Sequence, residues 1–181
     1  MSREEELLQR IERLESEVTA LKKQVLSDRA TIVVFSGELD RLMAAFIIAT
    51  GAAAMGLEVS MYFTYWGLAA LKNAPSYEGK TFPEKALTAL LPKGPEGVPT
   101  SRMNWLGMGP KFFHHLMKVH NVESLPSLIE VAEEMGIRMV ACQMSMGIMG
   151  IREEELREGL EYGGVATYLG DATDSKMTLF V

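Results

Sequence analysis

One cysteine in 181 residues, Cys142, excludes an intramolecular disulfide, so packing and hydrogen bonding must hold this chain folded. Basic residues are also in deficit: 18 Lys and Arg stand against 24 Asp and Glu, giving a formal net charge of −6 and an isoelectric point near 5.2. A surface of that sign has no general attraction for nucleic acid or anionic lipid, and neither is expected as a partner. Long apolar runs are missing too. The most membrane-like stretch, Leu42 to Leu57, falls short of the roughly 18 residues a span needs and runs into Glu58, which reads as a buried core helix. The amino terminus opens on Glu4-Glu5-Glu6 instead of a basic, apolar signal sequence, and the expected compartment is the cytoplasm. With no internal repeat and no low-complexity segment, the length fits one domain with an appendage.

The appendage is residues 1–28. Leu7, Leu14 and Leu21 alternate with Ile11, Val18 and Val25 in steps of four and three, an apolar seam of period 3.5. With the β-branched residues at a and the leucines at d, the combination favours a parallel two-stranded coiled coil. In that register Arg10 and Glu17 fall at g, and Glu15 and Lys22 at the following e, so both cross-pairs attract. Residues 29–181 then change character. Ala30 to Phe35 is a β-branched run typical of a strand buried on both faces. Glu38 to Met55 reads as a helix closed by Gly56, and Leu57 to Phe63 as a second strand. A short helix after Thr64-Tyr65-Trp66 leads to about Lys72. Six of the seven prolines fall between Asn73 and Pro110, marking a long insertion in which only Glu84 to Leu91 looks helical.

Two helices follow, at Lys111 to His120 and from Ser124, a predicted N-cap, to Met135. The third strand, Ile137 to Ala141, ends at Cys142. After it come a short helix near Arg152 to Glu158, a strand at Leu160-Glu161-Tyr162, a helix from about Gly164 to Ala172 and a last strand, Met177 to Val181. The alternation predicts a doubly wound, mostly parallel five-stranded sheet flanked by helices, an α/β fold.

Cys142 stands at the sheet edge where such folds place their chemistry. A helix starting there would favour the thiolate, although a free cysteine is also a common small core residue. Other motifs fail on context. Ala74 to Thr81 resembles a phosphate loop with its first glycine missing, but it follows a short helix where a strand is needed and sits among prolines. Gly107-Met108-Gly109 lacks the third glycine of a dinucleotide fingerprint. His114 and His115 point about 100° apart on a helix, and with His120 they assemble no convincing metal set. Met144, Met146 and Met149 are soft ligands that could hold Cu(I) together with Cys142, or simply core filler. A rhodanese-type cysteine would sit among basic residues, and a thiol peroxidase would carry Thr or Ser where Met139 stands.

The strand end Met139-Val140-Ala141-Cys142-Gln143-Met144-Ser145-Met146, followed by Met149-Gly150-Ile151, resembles the DsrE/DsrF-like family of small sulfur-relay proteins. Phe35 to Arg41, Gly51 to Gly56, Phe63 to Leu68, Leu91 to Pro95 and Gly163 to Leu169 are similar to its methionine-rich branch, and the resemblance spans Ala30 to Val181. It implies a compact α/β domain, oligomeric assembly, and a cysteine, Cys142 by motif match, that carries sulfane sulfur as a persulfide. The implied function is a sulfur carrier or sulfurtransferase-like protein exchanging sulfur with donor and acceptor proteins, with no cofactor and no bound metal. The alternative is a non-catalytic assembly or Cu(I)-binding protein using the same cysteine and nearby methionines. Ser36, Gly37, Thr64, Tyr65 and Trp66, at strand ends on the same edge, are the expected pocket walls. Gln143, Met144 and Ser145 follow the sulfur directly and could stabilise its anion.

Overall fold

A computed structural model describes residues 3–24, 27–102 and 108–181, the side chains of residues 4–6, 19–24 and 108 excepted. Among the described residues there are five strands, β1 (Ser27–Val34), β2 (Glu58–Phe63), β3 (Arg138–Cys142), β4 (Glu161–Gly163) and β5 (Ser175–Phe180), in one sheet of order β4-β3-β2-β1-β5. All four pairings are parallel, so the expected α/β architecture is present and the sheet is parallel throughout. The helices of the described residues are α1 (Arg3–Gln24), α2 (Leu39–Ala54), α3 (Phe82–Leu90), α4 (Met108–Val119), α5 (Leu125–Glu134), α6 (Gln143–Met149) and α7 (Val165–Ala172). Short 310 turns occupy Tyr65–Leu71, Pro95–Gly97 and Glu153–Glu155.

Alternation along the strands assigns the two faces of the sheet. Ile32, Val34, Met61, Phe63, Met139 and Ala141 point into the main core, where α2 and α5 pack on each other and contribute Leu42, Phe46, Leu128 and Ile129. Val33, Tyr62, Val140 and Cys142 form a second, smaller cluster on the opposite face, against Tyr168 of α7. That short helix crosses from β4 to β5, contacting β4, β1 and β5 on the way. Its carboxyl end is anchored through Asp171, which accepts from Ser60 Oγ at 3.0 Å and from the Arg138 guanidinium. Its amino end follows Gly163, where a Cβ would lie 2.6 Å from Thr167 Oγ1, so no larger residue fits without moving α7.

The helix expected at Ser124 begins there, with Ser124 Oγ accepting from the Ser127 amide at 3.3 Å. The insertion is more ordered than its prolines suggest. Helix α3 opens behind Thr81, whose amide donates to the Glu84 carboxylate at 2.6 Å, and the helix packs on α6. Downstream, Asp40 accepts from the Ser101 amide at 2.9 Å, tying the insertion to the start of α2. Along α1, Leu7, Ile11, Leu14 and Val18 are each about half exposed. The seam's last members lie outside the described residues, Val25 entirely and Leu21 by its side chain. Among the described residues no helix is long and apolar enough to cross a membrane.

One buried ion cluster locks the insertion to the domain. Glu155, 0% exposed, pairs with the Lys80 ammonium and accepts from the Ser76 amide at 3.2 Å. Lys80 also donates to Thr88 Oγ1 at 2.9 Å. The lysine of the phosphate-loop-like run is therefore engaged within the protein: Lys80 is buried on a carboxylate. Lys72 is buried too, with its Nζ 3.7 Å from Glu155 and without a hydrogen bond. Burial lowers its pKa and the nearby Lys80 charge adds to this, while Glu155 opposes. Glu155→Gln strands Lys80 and should cost about 3–5 kcal/mol, whereas Lys72→Met removes a surplus buried charge and should be neutral or stabilising. Urea unfolding midpoints check both, and an equal loss in the two variants would contradict this account.

Candidate functional site

β3 delivers Cys142 to the carboxyl edge of the sheet on the α7 face, at 3% exposure. The register explains its neighbours. Tyr62 pairs with Val140 and Phe63 with Ala141, so Thr64 leaves β2 beside Cys142, and Tyr62 shares the face of the sulfur. The chain then turns straight into α6, with Cys142 in extended backbone at φ −72° and ψ 109°. Ser145, 0% exposed, lies in the first turn of that helix.

These residues form a small hydroxyl cluster. Thr64 Oγ1 and Ser145 Oγ are 2.8 Å apart, one donating to the other. Each hydroxyl has one proton, so that bond leaves the second hydroxyl proton free to point at sulfur. Burial pushes the Cys142 thiol up, but the Ser145 hydroxyl, the Tyr62 hydroxyl, the Ser145 amide and the Thr64 hydroxyl together bring it below the ordinary thiol range. The same contact moves Tyr62 the other way. Burial first, then the sulfur that accepts its proton, raises its pKa, so Tyr62 stays a neutral donor. Tyr168 packs on Tyr62 with ring centroids 5.7 Å apart and holds it from the α7 side.

The eight sequence candidates divide. Thr64 and Ser145 meet at Cys142. Ser36, Gly37 and Trp66 line a different space, a cavity of about 400 Å³ with Phe35, Glu38, Arg41, Ala69, Leu91, Pro92 and Pro99. Tyr65, at φ 47°, turns onto Phe35 with centroids 5.4 Å apart. Gln143 and Met144 point to solvent, Met144 with 60% exposure. Met146 and Met149 belong to the main core, across the sheet from the Cys142 cluster, so the three methionines do not converge on the sulfur. His115 and His120 are exposed and His114 is half-buried, while Gly107 lies outside the described residues. Among the described residues no three His, Cys, Asp or Glu side chains are close enough to hold a metal ion.

Sequence reasoning missed Tyr62. It sits inside a strand, where an aromatic reads as core, and only its position two residues before Thr64 hinted that it shares a face with the edge residues.

The DsrE/DsrF/DrsH-like family pattern matches residues 27–180, nearly all of the chain outside α1. The chain belongs to this family. Among its relatives, the uncharacterized protein YrkE of Bacillus subtilis is 46% identical over 154 residues, spanning 84% of this chain and 96% of that one. The sulfur carrier protein DsrE2 of Allochromatium vinosum is 30% identical over 166 residues, spanning 84% and 98%. The crystal structure of the ychN protein from E. coli superposes with a TM-score of 0.52 at 10% identity, covering 84% of this chain and 98% of that one, which is a likeness of fold.

The hydroxyl cluster makes a direct prediction within this family member. Ser145→Ala, Tyr62→Phe and Thr64→Val each remove support for the anion, so each should raise the pH at which the Cys142 thiolate appears. The pH profile of alkylation, or of thiolate absorbance, measures this. An unchanged profile in all three would show that the hydroxyls do not stabilise the sulfur.

Proposed function

We propose that this protein is a sulfur carrier in which Cys142 holds sulfane sulfur as a persulfide and passes it to the thiol of a partner protein. The observation that carries the reading is the buried Cys142 at the end of β3, on the face of Tyr62 and beside the turns that bring the Thr64 and Ser145 hydroxyls within 2.8 Å of each other. Family membership and the sulfur carrier relative at 30% identity support it.

The exchange needs no cofactor. The Cys142 thiolate attacks the outer sulfur of a donor persulfide, RS–SH; a bond forms between Sγ and that sulfur, the RS–S bond breaks, and RS⁻ leaves. In the second half an acceptor thiolate attacks the outer sulfur and Cys142 departs as thiolate. Hydrogen bonds that favour the Cys142 anion assist both halves, because they raise the thiolate fraction for attack and make it a better leaving group for delivery. Burial suits a carrier as well: an S–S bond of about 2.05 Å puts the reactive sulfur beyond the enclosed Sγ. The partners are a sulfur donor and an acceptor protein, and the compartment that fits one unpaired thiol is the cytoplasm. Incubation with a persulfide donor should add one sulfur atom by intact mass, reversed by a thiol and lost in Cys142→Ser. Failure to load from several donors would sink this reading.

The arm gives the carrier its assembly. We propose that α1 pairs with α1 of a second copy through Leu7, Ile11, Leu14 and Val18, whose burial is worth about 1.5–3 kcal/mol each when complete, as their a and d identities favour. Replacing Leu14 and Val18 by Asp should lower the mass measured by light scattering. An unchanged mass would show that the α/β domains assemble by themselves.

A further inference from the structure

Among the described residues the groups that favour the Cys142 anion are the hydroxyls of Tyr62, Thr64 and Ser145, one of the last two spending its proton on the other at 2.8 Å, and the Ser145 amide; none carries a positive charge. Around them the walls are apolar or aromatic, Val33, Val140, Tyr62 and Tyr168, and Cys142 is 3% exposed. From this we propose that Cys142 takes its sulfur from a protonated, uncharged persulfide end and excludes thiosulfate and similar sulfur oxyanions as donors. The inference rests on the sulfur-carrier reading and narrows it to a donor class.

The physical basis is the charge gathered at the site. A thiolate meeting RS–SH brings one negative charge into the enclosure, and one negative charge leaves on RS⁻. That single anion is what a few hydroxyl and amide dipoles can solvate. Thiosulfate is a dianion, so attack by the thiolate on its outer sulfur, with sulfite departing, gathers three negative charges before the sulfur–sulfur bond breaks. Coulomb repulsion is several-fold stronger in a partly desolvated site than in water, and charges removed from water need paired opposite charges to offset the loss. A site that handles thiosulfate would require a guanidinium or ammonium aimed at the sulfonate. The shape agrees: a slender –S–SH end fits between aromatic and aliphatic walls, whereas a tetrahedral sulfonate must find polar partners.

Two measurements on the full-length chain test this. Loading of Cys142 is followed by intact mass with cysteine persulfide and with thiosulfate at equal concentration, and the persulfide should load about a hundredfold faster, the scale expected for added uncompensated charge at a partly buried site. Comparable or faster loading from thiosulfate would overturn the proposal and leave the carrier reading standing. The second measurement does not depend on sulfur transfer. Neutral iodoacetamide and anionic iodoacetate are compared on Cys142 and on a free thiol, and the preference for the neutral reagent should be roughly tenfold or more greater on the protein. An equal preference would likewise overturn the proposal. Loading from neither donor would overturn the carrier reading, and the donor class with it.

Discussion

The register of β2 against β3 is the constraint on which the site depends. With Tyr62 opposite Val140 and Phe63 opposite Ala141, the sulfur, the Tyr62 hydroxyl and the chain leaving β2 at Thr64 are brought to one corner of the sheet. The side-chain period of a strand is two, so a slip of one residue would turn Tyr62 into the α2–α5 core and bring Phe63 to the sulfur. Nothing in the loops could repair that. The register is itself enforced by the core, because Phe63 and Met61 are fully buried on the helix-covered face.

The second face of the sheet is divided in use. Its amino-terminal half is polar and anchors α7: Ser60 and Arg138 hold Asp171, and Thr31 meets Ser175 at 2.7 Å. Its carboxyl-terminal half is apolar with a few hydroxyls, and there Cys142 sits. One short helix therefore links the two, fixed at one end by charge and packed at the other by Tyr168 on Tyr62. A sulfur anion in this setting is favoured by dipoles alone, which is sufficient for one charge and is a weak counterweight to more.

Elsewhere buried charge is handled by pairing. Glu155 neutralises Lys80 and draws the insertion onto the domain, while Lys72 remains the less well-compensated member of the cluster. This cluster contrasts with the surroundings of Cys142, where neutral hydroxyls and apolar side chains take the place of paired charges.

The succession of strands and helices along the chain could be read from sequence because it follows from local pattern: β-branched runs, Gly56 after α2, Ser124 before α5, and a single cysteine where β3 ends. Each signal lies within a few residues of the element it specifies. The family resemblance was legible for the same reason, in contiguous motifs. Which edge residues meet the sulfur was not local information. Ser36, Gly37 and Trp66 occupy the same edge as Cys142 yet line a separate cavity, since the turn after Thr64 lays Trp66 against Gly37, where a Cβ would lie 2.5 Å from the Trp66 carbonyl oxygen, and Tyr62 was hidden in a strand that reads as plain core. Lys80, within the run that resembles a phosphate loop, is buried on Glu155, 75 residues away in sequence. Composition and period determined the elements and singled out Cys142. The partners of that atom were decided only by the tertiary structure, because register and the crossing of α7 bring together side chains whose separation in sequence carries no trace of their contact.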